Sequence, residues 1–184
     1  PAVENSVSGN SFRPGDVLQS RKGLSVEIGN TDAEGRLILA DALAEADSEK
    51  PELLFDFATL TGAARIALGP ELANLFTNDE ALSQDLSRLG IEVCDPVWRM
   101  PLWQSYKRMI KGKIADLNNS GENAMAGAIT AALFLEHFVE KAGSWAHFDI
   151  YGWNRRSQPG RPEGGEAQAM RVVYALLCER YPTP

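Results

Sequence analysis

Apolar and polar positions alternate in two short runs near the start of the chain, on either side of a turn that contains basic residues and a glycine. Both runs lie in DVLQSRKGLSVEIGN, residues 16–30. Alternation places successive side chains on opposite faces of a strand, so this pattern predicts a β-hairpin. The next stretch, Glu34 to Ala46, has apolar residues near helical spacing and is rich in Ala and Leu, which predicts a helix.

Farther along the chain, apolar runs alternate with amphipathic segments. The runs predict strands at Pro51 to Leu60, at Ala63 to Leu68 and within SWAHFDIYGWN, Ser144 to Asn154. Helices are predicted at Asn78 to Leu89, with Gly90 just past its end, at Ala124 to Lys141 and at Glu166 to Arg180. The second of these helices begins with small residues, so we expect it to be buried. Helices that alternate with apolar strands favour an α/β fold, with a mixed β-sheet sandwiched between helices.

The length and composition fit a single globular domain. The chain has 184 residues, of which 44% are hydrophobic and 23% are charged. Its formal net charge of −7 argues against nucleic acid as the main partner, because binding to phosphates requires a basic surface. A local basic patch is the alternative, and its candidate residues are Trp98, Trp103, Lys107, Arg108, Lys111 and Lys113. A solvated surface or a subunit contact explains these residues better.

Cysteine content and hydropathy indicate a cytoplasmic protein without a membrane span. The two cysteines, Cys94 and Cys178, form neither a disulfide framework nor a cluster suited to zinc, and we expect both to pack. No apolar run reaches the roughly 18 residues that a membrane helix needs. The first residues also lack the basic and apolar regions of a signal peptide.

Two carboxylates and a guanidinium are crowded in GNTDAEGRLILADAL, Gly29 to Leu43, where a loop meets a predicted helix. On one interpretation this is an ordinary helix start, in which Thr31 and Glu34 form a capping box and Asp32 interacts with the helix dipole. On the other, Asp32 and Glu34 bind divalent metal, and Arg36 stabilises an anion beside it. Local sequence leaves both interpretations open, and such helix starts are common.

Four other polar residues lie inside predicted apolar elements. Asp56, Asp149 and His147 lie in strands, and His137 lies in a helix. A single buried acid or histidine is more often a hydrogen-bonded structural group than a catalytic one, so we expect structural roles for all four.

The stretch NTDAEGRLILADAL resembles the signature of the leucyl (cytosol) aminopeptidase family, di-metal peptidases that remove N-terminal amino acids. Further stretches resemble other parts of that family: VENSVSGNSFRPGDVL, DFATLTGAARIALG, GKIADLNN, GAITAALFLEHFV, WAHFDI and PGRPEGGEAQAMR. The resemblance covers essentially the whole chain and implies the later part of a catalytic domain.

The resemblance also implies residue roles. Asp32 and Glu34 would be ligands of two divalent metal ions, Mn²⁺ or Zn²⁺, with Glu34 bridging them. Arg36 would hold a bicarbonate ion that acts as the general base. The residues implied to line the pocket for the first side chain, or to hydrogen-bond the peptide, are Thr59, Leu60 and Gly62. Two ions that share a hydroxide and polarise the scissile carbonyl fit metal-ion catalysis.

The sequence departs from the family at two points. In the family, a Lys and two Asp upstream of the signature complete the metal site, and these 184 residues contain no such region. We therefore expect residues 1–184 to be a single-domain fragment of the C-terminal catalytic domain, without the upstream ligand segment and the N-terminal domain. Two carboxylates cannot fill two coordination spheres, so we expect the isolated chain to be inactive. Tyr151 to Asn154 also differs from the family, so its preference for leucine is not carried over.

The partners implied by the resemblance are peptide substrates and further copies of the chain, which form a hexamer in the intact protein. Two rival functions remain on the same fold. One is a non-catalytic paralogue, against which an intact upstream Lys and Asp set would argue. The other is a DNA-binding regulator, which a salt-dependent gel shift would identify.

Overall fold

The computed structural model of the protein describes residues 9, 11–123 and 125–182. The helices are α1 Glu34–Ser48, α2 Gly62–Leu68, α3 Glu80–Glu92, α4 Gly127–Glu136 and α5 Met170–Arg180. The strands are β1 Val17–Gln19, β2 Ser25–Glu27, β3 Leu53–Ala58, β4 Ala73–Thr77, β5 Val97–Arg99, β6 Leu117–Asn118, β7 Ser144–Asp149, β8 Trp153–Asn154 and β9 Gly164–Gly165. Two 3₁₀ segments span Thr31–Ala33 and Gln104–Ile110. None of the helices described combines the length and the apolar character that crossing a membrane requires.

The chain divides into two compact units, and each unit is made of two stretches of sequence. The first unit consists of Pro1–Leu54 and Trp103–Gly143. The second unit consists of Phe55–Leu102 and Ser144–Pro184.

The first unit contains a small mixed sheet and two packed helices. Strand β1 pairs antiparallel with β2, which confirms the predicted hairpin, and β2 pairs in parallel with β6. Helix α1 packs against α4, and the 3₁₀ segment Gln104–Ile110 packs against α4 as well. Seven of the ten residues of α4 are buried, as its small and apolar residues predict: Ala128, Thr130, Ala131, Ala132, Leu133, Phe134 and Leu135.

Helix α4 is shorter than the predicted Ala124 to Lys141. It begins after Ala126, whose φ of 56° lies in the left-handed region and cannot continue a helix, and Ala124 lies outside the described residues. It ends at Glu136, and the backbone N–H groups of residues 137, 138 and 139 donate to carbonyl oxygens three residues earlier instead of four. Those of residues 140, 141 and 142 donate to the buried carboxylate of Asp47, at 3.1, 2.8 and 2.8 Å.

The second unit is built on a four-stranded mixed sheet in the order β3-β7-β4-β5, with residues 55–58 of β3 in this unit. Strand β4 runs antiparallel to β7 and parallel to β5. Helix α3 packs against β4, β5 and α5. The buried core that these elements share includes Leu75, Leu82, Leu86, Val97, Phe148, Val172 and Leu176. These mixed sheets flanked by helices confirm the predicted α/β class.

The caps of α3 and α5 come from carboxylates. The Oδ1 atom of Asp79 accepts the N–H of Leu82 at 3.1 Å and so begins α3. Buried Asp95 accepts N–H groups at the start of α5, including that of Ala169 at 3.1 Å and that of Arg171 at 2.9 Å. Gly90 lies inside α3 rather than past its end, which corrects the prediction. A Cβ there would lie 3.0 Å from the carbonyl oxygen of Asp95, so the glycine permits this close approach.

The structure of the second unit differs from the predictions at three further points. The predicted strand Ala63 to Leu68 is helix α2, because the Oγ of Thr61 accepts the N–H of Ala64 at 3.0 Å and caps a helix of alanine-rich sequence. Strand β4 was not predicted, because all five of its residues are buried and it shows no alternation. Both cysteines are exposed, so the expected packing role of Cys94 and Cys178 is also wrong.

Candidate active site

The loop that carries Asp32 is a single 3₁₀ turn in the first unit. The Oδ1 atom of Asn30 accepts the N–H of Asp32 at 2.9 Å and caps this turn. Helix α1 follows at Glu34, and the residue before it, Ala33, makes no capping hydrogen bond with its side chain. The capping box predicted between Thr31 and Glu34 is therefore wrong, and Asn30 orders the chain instead. The side chain of Asp32 is exposed.

Glu34 has a buried carboxylate oxygen at the start of α1. Its Oε2 atom is buried and makes no hydrogen bond with any residue that the structure describes. A buried carboxylate oxygen without a partner carries a free-energy cost of desolvation. A bound cation would remove that cost, and carboxylate oxygens are suitable ligands for divalent metals. The donor chemistry of Glu34 and neighbouring Asp32 therefore fits the metal role that the sequence predicts for them.

Arg36 lies two residues further along α1, where its side chain contacts α4. Its guanidinium carbon is 5.9 Å from the centre of the fully buried Phe134 ring, within the range of a cation–π interaction. Residues two positions apart on a helix do not face each other, so Arg36 and Glu34 project in different directions from α1. The role of Arg36 as an anion site stays a prediction.

Asn119, which follows β6, fixes the loop that carries Asp32. Its Oδ1 accepts the N–H groups of Gly29 and Asn30 at 2.8 and 3.1 Å. Its Nδ2 donates to the carbonyl oxygens of Asn30 and Ala33 at 2.7 and 3.4 Å. The side chain is fully buried. No role was predicted for Asn119 from the sequence. Its position in GKIADLNN, a stretch that resembles the family, was the one indication that it contributes to the site.

Gly29 permits the close approach of these two segments. A Cβ at Gly29 would clash with the Oγ of Ser120 and would lie 2.6 Å from the Oδ1 of Asn118. Real side chains do not tolerate such contacts. Gly29, directly before the signature, therefore allows the loop after β6 to lie directly against this segment.

The described residues do not by themselves form a complete metal site. Among residues 9, 11–123 and 125–182, no group of three or more His, Cys, Asp or Glu is arranged to hold a metal ion. The metal role of Asp32 and Glu34 stays a prediction. Further ligands would have to come from elsewhere.

The predicted substrate residues Thr59, Leu60 and Gly62 lie in the second unit, between β3 and α2. Asp149, at the end of β7, orders this loop. Its Oδ1 accepts the N–H of Leu60 at 3.0 Å and that of Thr61 at 3.2 Å. Its Oδ2 accepts the hydroxyl of Thr61 at 2.6 Å. Burial raises the pKa of Asp149, and the bonds from Thr61, with nearby His147, oppose that rise only in part.

The backbone at Gly152 lies beside the same loop. A Cβ on this residue would be 3.1 Å from the Cγ2 of Thr59, and its φ of 70° lies in the region that favours glycine. Gly152 thus brings the segment after β7 close to the predicted substrate residues without a side chain between them.

Asp56, on β3, belongs to a buried polar cluster with β7. Its two carboxylate oxygens bond the indole N–H of Trp145 at 2.8 Å and the Nδ1 of His147 at 2.5 Å. Burial acts to lower the pKa of His147, but the carboxylates of Asp56 and Asp149 together raise it above its usual value. These bonds fit the structural roles that we expect for Asp56 and His147.

Comparisons with known proteins were made for the whole chain. Residues 1–174 match the model of the cytosol aminopeptidase family, catalytic domain. Among curated relatives, a probable cytosol aminopeptidase from Chlorobium phaeobacteroides is 46% identical over 96% of this chain, and one from Chlorobaculum tepidum is 50% identical over 96%. The chain spans 35% of the length of each of these relatives.

Solved structures agree with the sequence comparisons. The crystal structure of cytosol aminopeptidase from Coxiella burnetii is 57% identical, covers 98% of this chain and 40% of that protein, and gives a TM-score of 0.93. A tomato leucine aminopeptidase variant is 39% identical, covers 95% of this chain and 34% of that protein, and gives a TM-score of 0.83. The chain belongs to the cytosol aminopeptidase family, because its residues 1–174 match the model of that family's catalytic domain.

Proposed function

We propose that this chain is the later part of the catalytic domain of a metal-dependent aminopeptidase, which hydrolyses the first peptide bond of peptide substrates. Family membership supports this proposal. The structural observation that carries it is the buried Oε2 of Glu34, which has no hydrogen-bond partner among the described residues and lies beside Asp32 in the chain. A purely structural carboxylate would be hydrogen-bonded or exposed.

Asp32 and Glu34 would hold part of a pair of divalent ions, Mn²⁺ or Zn²⁺. When bound, such ions activate water and polarise the scissile carbonyl. Arg36 would hold a bicarbonate ion as the general base. Its guanidinium is suited to this task because it is planar and binds carboxylate-like anions through two parallel hydrogen bonds.

The second unit would bind and orient the peptide. The residues that line the pocket or hydrogen-bond the peptide would be Thr59, Leu60 and Gly62. Asp149 would hold their loop in one conformation through its bonds to Leu60 and Thr61. A fixed loop reduces the entropy that substrate binding must lose, which favours a reactive geometry.

A chimera tests the proposal. This chain would replace the corresponding segment of the Coxiella burnetii enzyme, to which it is 57% identical. The chimera should hydrolyse leucine-p-nitroanilide in the presence of Mn²⁺. Asp32→Asn and Glu34→Gln should each lower kcat/KM by more than the roughly 10–100-fold typical of residues that only support metal ligands.

The control variant is Glu45→Gln. Glu45 lies on the same helix, is exposed and pairs with Arg21, so its loss should leave turnover unchanged. A folded chimera that neither binds Mn²⁺ nor hydrolyses the substrate would contradict the proposal and favour a non-catalytic paralogue. The 184-residue chain alone should show no turnover with added Mn²⁺, and turnover would contradict the expectation that further ligands are needed.

The remaining parts of the proposal concern the whole protein. We propose a cytoplasmic homo-oligomer, a hexamer, in which residues 1–184 form one domain. Membership of the family supports this assembly. Light scattering of the chimera would measure the number of subunits.

A further inference from the structure

An open cleft lies in the second unit, apart from the predicted substrate residues. Pro70 and Glu71 form one side, and residues 153–156 and 158 form the other. Its volume is about 330 Å³, which is enough for a small ligand. None of the residues Thr59, Leu60 and Gly62 lines it. We call it the arginine cleft, because Arg155 and Arg156 both contribute to its lining.

A buried glutamine connects the two sides of the arginine cleft. The Nε2 of Gln168 donates to the carbonyl oxygen of Pro70 at 2.7 Å. Its Oε1 accepts the N–H groups of Tyr151 and Gly152 at 3.0 and 2.8 Å, directly before Trp153. Gln168 is 6% exposed, so water competes little for these bonds. The two sides of the cleft are thus fixed relative to each other before any ligand binds.

The segment that carries the two arginines is itself ordered. Strands β8 and β9 pair antiparallel at its base. Gln158 and Arg161 exchange two backbone hydrogen bonds at its tip, of 2.8 and 2.9 Å. The Oγ of Ser157 accepts the N–H of Glu163 at 3.1 Å. A loop bonded along its length loses little entropy when it binds a ligand.

Arg155 and Arg156 differ from every other arginine of the second unit. Neither guanidinium forms an ion pair, a hydrogen bond or a cation–π contact with the residues that the structure describes. The other arginines of this unit each make at least one such contact: Arg65, Arg88, Arg99, Arg161, Arg171 and Arg180. Two adjacent guanidinium groups without acidic partners among the described residues are available to bind an anion, in a chain whose net charge is −7.

The remaining groups of the arginine cleft narrow the class of ligand. Glu71 is exposed and forms no ion pair with either arginine. Its carboxylate would repel a phosphate dianion but would attract an ammonium group. Trp153 is 50% exposed and offers an aromatic face for an apolar side chain. The cleft therefore combines donors for a carboxylate, an acceptor for an ammonium and an apolar surface.

We propose that the arginine cleft binds a zwitterion that carries an apolar side chain: a free α-amino acid, or a short peptide with both termini free. The carboxylate would bind Arg155 and Arg156, the ammonium would bind Glu71, and the side chain would contact Trp153. This site does not involve Asp32 or Glu34, so it stands or falls independently of the proposed aminopeptidase activity.

NMR titration of the 184-residue chain tests the proposal. The indole N–H signal of Trp153, identified by its absence in Trp153→Phe, reports binding. L-Leucine should shift this signal. N-acetylleucine lacks the ammonium, and leucinamide lacks the carboxylate. Because each has lost one ionic contact, each should bind at least about tenfold more weakly than leucine. The dipeptide Leu-Gly shows whether the site prefers a single amino acid or a peptide.

Charge variants make the test specific. The double variant Arg155→Gln, Arg156→Gln should weaken the binding of leucine about tenfold or more. Glu71→Gln should weaken the binding of leucine but leave the binding of N-acetylleucine unchanged. These side chains are exposed, so the variants should fold. Arg99→Gln is the control, because Arg99 is an exposed arginine of the same unit whose partner is Glu80. Inorganic phosphate or N-acetylleucine binding as tightly as leucine, or no shift with leucine, would overturn the proposal.

Discussion

Asn119 and Asn30 are joined by a reciprocal pair of hydrogen bonds, in which one side-chain amide satisfies both backbone groups of the other residue. The Oδ1 of Asn119 accepts the N–H of Asn30 at 3.1 Å, and its Nδ2 donates to the carbonyl oxygen at 2.7 Å. Asn30 in turn caps the turn that contains Asp32. The position of one predicted metal ligand thus depends on a buried amide from a distant loop.

Asn119→Ala should destabilise the first unit strongly. The variant removes four part-buried hydrogen bonds and leaves a cavity where the fully buried amide was, so the free energy of unfolding should fall by about 2–4 kcal/mol. Urea denaturation measures this change. Asn123→Ala is the matched control, because exposed Asn123 accepts one hydrogen bond from the described residues, the nearby N–H of Met125, and its loss should cost less than about 1 kcal/mol. Equal effects of the two variants would contradict a special role for Asn119.

Thr61→Ala should destabilise the second unit, while Thr31→Ala should not affect the first. The hydroxyl of Thr61 caps α2 and also bonds buried Asp149, so its loss should cost about 2–3 kcal/mol. Thr31 makes no cap, so its substitution should change stability by less than about 0.5 kcal/mol. Thr61→Ser, which keeps the hydroxyl, should retain most of the stability. Thermal denaturation compares the three variants. A clear loss of stability in Thr31→Ala would support the capping-box interpretation.

Asp47 should make the protein less stable in acid. Burial acts to raise the pKa of Asp47, but the N–H groups of residues 142, 141 and 140 together hold it below its usual value. A carboxyl with a lowered pKa in the folded state stabilises the protein above its unfolded pKa of about 4, and this contribution is lost as the pH falls through the folded pKa.

The measurement is urea denaturation of the protein and of Asp47→Asn from about pH 6 to pH 3. The difference in unfolding free energy between them should shrink toward acid pH, because protonation removes the advantage of the carboxylate. The exposed Glu49→Gln controls for the loss of one negative charge, and its difference should change little. A pH-independent difference for Asp47→Asn would contradict this assignment.

The two histidines should titrate on opposite sides of the ordinary pKa of about 6.5. Burial, with nearby Lys107, lowers the pKa of His137. The pKa of His147 is raised by Asp56 and Asp149 against the effect of its burial. Nitrogen NMR of the imidazole rings from pH 5 to pH 9 separates these cases, because the chain contains only two histidines.

The raised pKa of His147 also makes the stability of the protein depend on pH. Its contribution is fully present below the unfolded pKa and is lost as the pH rises through the folded value. Asp56→Asn should lower the pKa of His147 and reduce the loss of stability in mildly alkaline solution. A His147 signal that loses its proton below pH 6.5 in the unmodified protein would contradict the charged pair.

Local patterns in the sequence predicted the helices and strands that are determined by neighbouring residues. The hairpin of β1 and β2 and helix α1 follow from alternation and from helical spacing. The helix α2 could not be predicted in this way. Its cap, Thr61, is held by Asp149, which is 88 residues away in sequence. Composition within Ala63 to Leu68 allows either a strand or a helix, and a distant carboxylate decides between them.

The candidate site likewise contains residues that local sequence identifies and a residue that depends on distant contacts. Asp32, Glu34 and Arg36 were selected from one stretch by their residue types and by resemblance. Asn119 was not, because its function depends on contacts with a loop 86 to 90 residues earlier. A buried amide in a polar stretch is indistinguishable from a surface asparagine until the fold brings its partners to it.

The carboxylate of Asp47 has a consequence for the order in which the protein folds. Its partners lie 93 to 95 residues later in the chain, and closing a loop of that length costs about 4 kcal/mol of chain entropy. Both units also take their second stretch from residues beyond 102. Neither unit can be completed on the ribosome before the residues beyond 102 have emerged, so folding should be slow and mainly follow synthesis of this region.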